Sequence, residues 1–286
     1  MKHRFVYEHR HLWPVRMICR VLGVSPSGYY AWLRRPESGR AVANRVLLAE
    51  IRAIHAESGG AYGAPRVHAY LRAHGRRVGR HRIARLMRHA GLRGLAAIPR
   101  RVRTTDSRHD HPIAPNRLRR NFTAAAPNQV WLADLTYIRT GEGWLFLAAL
   151  IDMHTRKVVG WAVRDTLHAD IALEALEMAI KRQRPAQGLV HHSDRGVQYA
   201  AHAYRQALAA SGITPSMSRK GNCLDNAPME SFFHTLKVER IRHHVYATRA
   251  EARRDLFAYI EGFYNSRRLH SGIGYRSPAD MERMAA

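Results

Sequence analysis

A chain of 286 residues is long enough to bury a core and to hold about two domains, and 47 Lys/Arg against 22 Asp/Glu leave it a formal net charge of +25. The charge is uneven: residues 1–120 carry 26 basic and 6 acidic side chains, a net of +20, whereas residues 121–286 carry 21 and 16, a net of +5. Two cysteines, Cys19 and Cys223, give neither a disulfide framework nor a zinc spacing, the 19 histidines form no paired metal motif, and the apolar run from Trp144 to Ile151 is too short to span a bilayer. No apolar stretch follows Met1-Lys2-His3-Arg4, so no signal peptide is expected, and the chain is expected in the cytoplasm, against the nucleoid.

The basic front half, residues 1–95, reads as helices. A short helix is expected over residues 16–22, stopping at Gly23. Ser25 is placed to cap the next helix and Pro26 to open it, and that helix carries Tyr29, Tyr30, Trp32 and Leu33. A longer helix is expected over residues 41–57, ending at Ser58-Gly59-Gly60. A second, clearer helix-turn-helix candidate comprises a helix over 65–73, a break at His74-Gly75 and a helix over 80–90. In that last helix Ile83, Leu86, Met87 and Ala90 form an apolar stripe, and Arg82, Arg85, Arg88 and His89 lie off it. An apolar docking face with a basic face for phosphates or base edges is what a recognition helix requires; an ordinary amphipathic surface helix is the plainer alternative. The charge pattern argues for a polyanion partner, double-stranded DNA ahead of RNA. Residues 96–127 then read as a basic, proline-containing linker with Arg100, Arg101, Arg103, Arg108, Arg117, Arg119 and Arg120, either laid along DNA or simply solvated.

Residues 128–286 have a different pattern. Strands are expected at 130–139, 144–153 and 157–166, a helix at 169–183, a strand at 188–193, a helix at 198–211, a short strand at 213–217 and a long helix from 227. Gly141-Glu142-Gly143 supplies the first hairpin turn. Three hairpin-linked strands followed by alternating helix and strand give an α/β fold, a mixed five-stranded sheet with flanking helices. Trp131, Trp144 and Trp161 are expected in its core.

Three carboxylates stand out in this half. Asp134 lies inside the apolar run 130–138, where strand alternation puts it on one face with Thr136 and puts Trp131, Ala133, Leu135 and Tyr137 on the other. Asp194 ends the run 189–194. Glu230 begins a helix that Asp225 or Asn226 can cap and Pro228 can open; Phe233, His234 and Lys237 share its face. A charge inside a strand is costly unless it is paired or binds metal, and for Asp134 alone a buried salt bridge is an equal reading. Three carboxylates brought together resist ionisation and favour a divalent cation, and oxygen ligands suit Mg²⁺ or Mn²⁺. His192 and Ser193 either orient Asp194, touch DNA or are structural. Asp152, at a strand end, caps or pairs.

Several blocks, in order, carry a family resemblance. They are Trp131-Leu-Ala-Asp134-Leu-Thr-Tyr137, Leu150-Ile-Asp152, Val159-Gly160-Trp161, His192-Ser-Asp194-Arg-Gly196-Val-Gln198-Tyr199, Ser216 to Asn226, Glu230-Ser-Phe-Phe233, Lys237, and Tyr264-Asn265-Ser-Arg-Arg-Leu-His270. Residues 131–278 resemble the catalytic half of insertion-sequence transposases with a DDE signature, above all the OrfB product of the insertion-sequence three family, related to retroviral integrases. The resemblance implies an RNase H-like fold and a triad of Asp134, Asp194 and Glu230 clamping two Mg²⁺ or Mn²⁺ ions, about 3.5–4 Å apart in two-metal sites. It implies DNA strand cleavage and strand transfer at the ends of an insertion sequence, a DNA contact for Lys237, a helix-turn-helix region in front and an OrfA or OrfA–OrfB fusion partner; a homo-oligomer on DNA is expected, and Thr136 and Asn226, with His192 and Ser193, are candidate supporting residues. An RNase H-type nuclease and an inactive or regulatory DNA-binding protein are the competing expectations. The residues alone reveal no role for the block from Tyr264 to His270.

Overall fold

The computed structural model describes residues 1–95, 111–219 and 223–285, in two compact units, Met1–Ala53 and Ile54–Ala286. Arg100, Arg101, Arg103 and Arg108 of the expected linker, and the Gly221-Asn222 turn, lie outside the described residues. In the first unit, α1 (Lys2–His9), α2 (Val15–Leu22) and α3 (Pro26–Arg34) enclose Val6, Ile18, Cys19 and Tyr29. Gly23 closes α2 in the left-handed conformation, at φ 61°, and the Ser25 hydroxyl accepts from the Gly28 N–H at 3.0 Å, so the stop and the cap are those expected. Helix α1 was not expected: it buries only Val6 and offers no apolar stripe to read. Tyr30, Trp32 and Leu33 are exposed. Helix α4 covers Gly39–Glu57.

In the second unit α5 (Ala64–Ala73) packs against α6 (Arg80–His89). The stripe on α6 is real: Ile83 and Met87 are buried beneath it, and Gly75, at φ 76°, makes the break between the two helices. The sheet comprises β1 (Val130–Thr140), β2 (Gly143–Asp152), β3 (Val158–Arg164), β4 (Val190–Ser193) and β5 (Thr214–Met217), in the order β3-β2-β1-β4-β5. The first three strands are antiparallel, the β1–β2 hairpin closing at Thr140 opposite Gly143; β4 and β5 are parallel to β1. It is a mixed five-stranded sheet with helices on both faces, as expected.

Strand alternation sorts the core into two layers. Leu132 and Ile138 face α10 (Ala227–Glu239) and α11 (Arg249–Tyr259), through Met229, Phe232, Phe233, Leu236 and Leu256. Trp131 and Ala133 face α7 (Asp170–Gln183) and α9 (His202–Ala210). Between α7 and α9 a single turn, α8 (Val197–Ala200), stands apart because Ala201 adopts ψ 145°, so the one helix expected over 198–211 is two. The long helix expected from 227 stops at Glu239. The chain continues through α11, a π-helical turn over Ile260–Asn265 and α12 (Pro278–Ala285). Among the described residues no helix is long and apolar enough to cross a membrane.

Further expectations are corrected. Trp144 is 48% exposed rather than core, because it sits at the turn end of the β1–β2 hairpin, opposite Arg139 and edge-on to Tyr137. Trp161 is half-buried and donates its indole N–H to Glu261 at 2.8 Å, while Trp131 is fully buried as expected. The described part of the linker is no solvated tether: Leu118 is buried in the core, and Phe122 and Ala124 pack against it. The block from Tyr264 to His270 has a structural role. The Asn265 side chain bonds both the N–H and the carbonyl of Val158, at 2.9 and 3.0 Å, and the buried Arg268 pairs with Glu239.

Gly160 on β3 lets α7 approach the sheet. A Cβ there would lie 2.1 Å from the Ala175 carbonyl oxygen and 2.8 Å from the Ala179 Cβ. Gly160→Ala is expected to cost about 1–3 kcal/mol, the usual range for overpacking, read as a lowered Tm in calorimetry. An unchanged Tm would mean that the helix stands off the sheet.

Candidate active site

The site follows from strand register. On the parallel neighbours β1 and β4, Leu132 lies opposite His192. Asp134 is two residues beyond Leu132, and Asp194 is two residues beyond His192, just past the end of its strand. Equal, even offsets put both carboxylates on one face of adjacent strands, which are spaced about 4.8 Å apart. Each carboxylate is also held locally. Asp134 Oδ1 accepts from the Leu135 N–H at 2.7 Å, and Asp194 Oδ1 accepts from the Gly196 N–H at 2.9 Å. A Cβ on Gly196 would sit 3.0 Å from that same Asp194 oxygen, so the turn closes over the carboxylate most easily as glycine.

Glu230 arrives on α10, and the link to β1 is Asn226. Its Nδ2 donates to the carbonyl of Ala133, the residue before Asp134, at 3.0 Å, and its Oδ1 is buried without a partner among the described residues. Asn226 stands at the N-cap position but its side chain makes no capping hydrogen bond, and the Asp225 carboxylate is engaged elsewhere, so neither side chain caps the helix as the sequence led one to expect. Asp225 is fully buried and accepts from Asn116, Arg120 and Arg219. The Arg219 guanidinium, above all, holds its carboxyl well below the usual carboxylate range. Pro228 opens α10 as expected.

The three acidic residues feel one another. Burial first, then repulsion from Asp194 and from Glu230, pushes the Asp134 carboxyl well above the usual carboxylate range, against the opposing pull of the Leu135 N–H and Lys237. Lys237 lies beside this group, half-buried, with its ammonium 5.6 Å from the Tyr137 ring centre. Burial lowers its pKa while Asp134 counters. Thr136 is buried two residues along β1, on the face of Asp134.

Among the described residues no three His, Cys, Asp or Glu side chains are yet gathered around one point as an ion would hold them. Their chemistry nonetheless fits a divalent cation: hard oxygen donors, mutually repelling, beside a buried amide oxygen lacking a partner.

Other expected residues fall elsewhere. His192 is fully buried, its Nδ1 and Nε2 meeting the Ser216 and Ser218 hydroxyls at 2.8 and 3.1 Å, and burial lowers its pKa to about 4, so it is neutral. Ser193 is buried and donates to the Asp194 carbonyl rather than its carboxylate. His192 thus links β4 to the β5 segment, whereas the Ser193 hydroxyl bonds only within its own turn. Arg85, Arg88 and His89 are exposed and Arg82 half-buried on α6, which packs on α5. Asp152 caps its turn, accepting from the N–H groups of Asn128 and Thr155 at 2.8 Å.

Glu239, at the far end of α10, was missed. It accepts from Arg268 at 2.6 and 2.7 Å and from the Tyr259 hydroxyl at 2.9 Å, and lies 3.6 Å from Arg66 of α5. Tyr62 bridges nearby, its hydroxyl donating to the Arg267 carbonyl and accepting from the Leu269 N–H. Partners separated by more than a hundred residues leave no local pattern by which Arg66 and Glu239 could have been matched.

The raised Asp134 pKa has a signed consequence. A carboxyl whose folded value exceeds its unfolded value costs nothing while protonated in both states. Its cost enters as pH rises above the unfolded value, near about 4, and is complete above the folded one. Asp134→Asn is therefore expected to raise the Tm of the metal-free protein, with a gain that grows from acidic to mildly alkaline pH. Calorimetry across that range checks this, and a gain independent of pH would show that carboxylate repulsion is not its source.

Comparison with known proteins identifies the family. Residues 124–223 and 211–278 match two families described as Integrase core domain, and residues 42–102 match one described as HTH-like domain. The Insertion element IS600 uncharacterized 31 kDa protein of Shigella sonnei is 47% identical over 263 residues, covering 92% of this chain and 96% of that protein. Transposase InsF for insertion sequence IS3A of Escherichia coli strain K12 is 39% identical over 285 residues, covering 99% and 98%. A solved simian T-cell lymphotropic virus intasome in complex with PP2A regulatory subunit B56 gamma is a loose likeness, with a TM-score of 0.47 and 15% identity over 81% of this chain and 74% of that one. With identities of this size over almost the whole length, the chain belongs to the insertion-sequence three (IS3) family of transposases.

Proposed function

We propose that Asp134, Asp194 and Glu230 are the catalytic triad of this transposase, that they hold two divalent ions, Mg²⁺ or Mn²⁺, and that the chain cuts and joins DNA at the ends of its insertion sequence. The observation that carries this is the electrostatic coupling of three carboxylates delivered by two parallel strands and a helix bolted to one of them. In cleavage a water oxygen bonds to phosphorus and the 3′ oxygen leaves as a hydroxyl; in joining, that hydroxyl attacks a target phosphodiester and displaces its 3′ oxygen. Ions bound there supply Lewis-acid chemistry, promoting deprotonation of the attacking hydroxyl and stabilising the leaving oxygen.

The chain's own residues do the rest. Asp134 and Asp194 give a rigid pair of donors, and Glu230 enters from α10. Asn226 sets the start of that helix against β1. Lys237, partly stripped of water beside Asp134, offers a positive charge to a DNA phosphate. Arg82, Arg85, Arg88 and His89 of α6 read the element ends, supported by the exposed basic face above the buried stripe. Residues 1–95 serve as the DNA-binding region, 96–127 as a basic connection and 128–286 as the catalytic core. The enzyme works as a homo-oligomer on nucleoid DNA with an OrfA or fused OrfA–OrfB partner.

The test is strand transfer on labelled element-end DNA with Mg²⁺ or Mn²⁺, using the fused protein and its Glu230→Gln variant. Supporting residues around metal sites cost about 10–100-fold, so loss of a direct ligand is expected to exceed about 100-fold, with DNA binding retained. Turnover near the parent's would remove Glu230 from the triad.

A further inference from the structure

Just before the sheet, the backbone is held in a conformation that its side chains resist. Arg119 and Arg120 are consecutive non-glycine residues in the left-handed region, at φ 45° and 65°. Such a conformation persists only where the surroundings over-determine it, and it gathers at functional sites. Here the surroundings are explicit. Arg117 N–H donates to the Ser216 hydroxyl at 2.9 Å, Arg119 N–H to Asn116 Oδ1 at 2.9 Å, and Arg120 Nε to Asp225 Oδ1 at 3.2 Å. Asn116 itself donates to Asp225 at 2.9 Å, and Leu118 is only 7% exposed, in the core.

The pinning has an outcome for two side chains. Arg117 and Arg119 are exposed, and among the described residues neither guanidinium has a hydrogen-bond or ion-pair partner. Anchoring is done by Asn116, Leu118 and Arg120. A purely structural turn would be better served by glycine at position 119, which adopts positive φ without penalty. The arginine there is an expense to the fold, and a rigid, outward cation is what it provides.

This strap leads to the triad through a connected set of contacts. Its anchor, Asp225, lies five residues before Glu230 and also receives the Arg219 guanidinium. Arg219 follows Ser218, whose carbonyl accepts from Arg195 Nε at 2.7 Å. Arg195 follows Asp194. Cations therefore run from the carboxylates through Arg195 and Arg219 to Arg119 and Arg117.

We propose that Arg117 and Arg119, continued by Arg219 and Arg195, form a phosphate-binding strap that holds the sugar-phosphate backbone of a DNA strand beside the triad. The proposal rests on the DNA chemistry above. Guanidinium groups on a fixed backbone suit phosphodiester oxygens, and such contacts position a strand without reading its sequence.

The test uses the full chain, with fluorescence anisotropy on element-end DNA and on a scrambled duplex across a salt series. Each lost phosphate contact flattens the slope of log K against log salt by about 0.9. Arg117→Gln/Arg119→Gly is expected to flatten it by about 1.8 and to weaken both DNAs equally. Arg119→Lys is expected to keep the parent slope. Arg117→Gln alone leaves the left-handed backbone untouched and is expected to lose about 0.9, whatever the double variant does to folding. An unchanged slope in Arg117→Gln and in the double variant overturns the strap, as does a loss confined to element-end DNA, the mark of base readout. A parent chain that binds neither duplex overturns instead the reading on which the strap rests.

Discussion

The parallel pairing of β1 with β4 is the constraint on which the rest depends. Residues in a strand alternate faces, so a slip of one position would send one carboxylate through the sheet and leave no common site. The β1–β4 register is that of the backbone ladder, Val130 opposite Val190, and β4 itself is anchored by buried polar contacts. His192 locks it to β5 through Ser216 and Ser218, and His191 meets the Tyr204 hydroxyl at 2.8 Å. Burial lowers the His191 pKa to about 3 and that of His192 to about 4, so both act as neutral hydrogen-bonding groups, with no charge to disturb the pair of acids beside them. Those histidines are part of the reason that Asp194 stands next to Asp134, although neither touches its carboxylate.

Helix α10 brings the third acid and is held at both ends. At its start, Asn226 bonds to β1 and Asp225 gathers three side chains from two segments. At its end, Glu239 sits in a buried cluster with Arg268, Tyr259 and Arg66. Removing one partner from such a cluster leaves an uncompensated charge, which makes the arrangement hard to deform by small steps. The same cluster joins α5, one half of the helix pair offered as the DNA reader, to the helix carrying Glu230. A change in how α5 sits would thus bear on the acid at the other end of α10.

Much of this was legible in the sequence, for identifiable reasons. The five strands were readable because apolar alternation and the Gly141-Glu142-Gly143 turn are local signals, and Ser25-Pro26 is a local cap whose hydrogen bond is present. Asp134 stood out because a carboxylate in an apolar strand demands a partner. Whatever depends on distant partners was not legible. Asp225 looked like a cap by position, yet Arg219 claims it, and Asn226 stands at the N-cap but spends its amide N–H on Ala133 of β1. Arg120 looked like one cation in a loose linker, yet Leu118 anchors the segment in the core. Trp144 looked like core by composition, yet it lies at a hairpin end. The interruptions at Ala201 and after Glu239 carry no glycine or proline to announce them.

The central claim is that three carboxylates make one cation site. It is tested most directly by calorimetric titration of Mn²⁺ into the full chain and into Asp134→Asn, Asp194→Asn and Glu230→Gln. The account predicts binding to the parent that each substitution weakens by at least about tenfold, the lower bound for disturbing a metal site's supporting residues. Equal affinity in the parent and all three variants would contradict it.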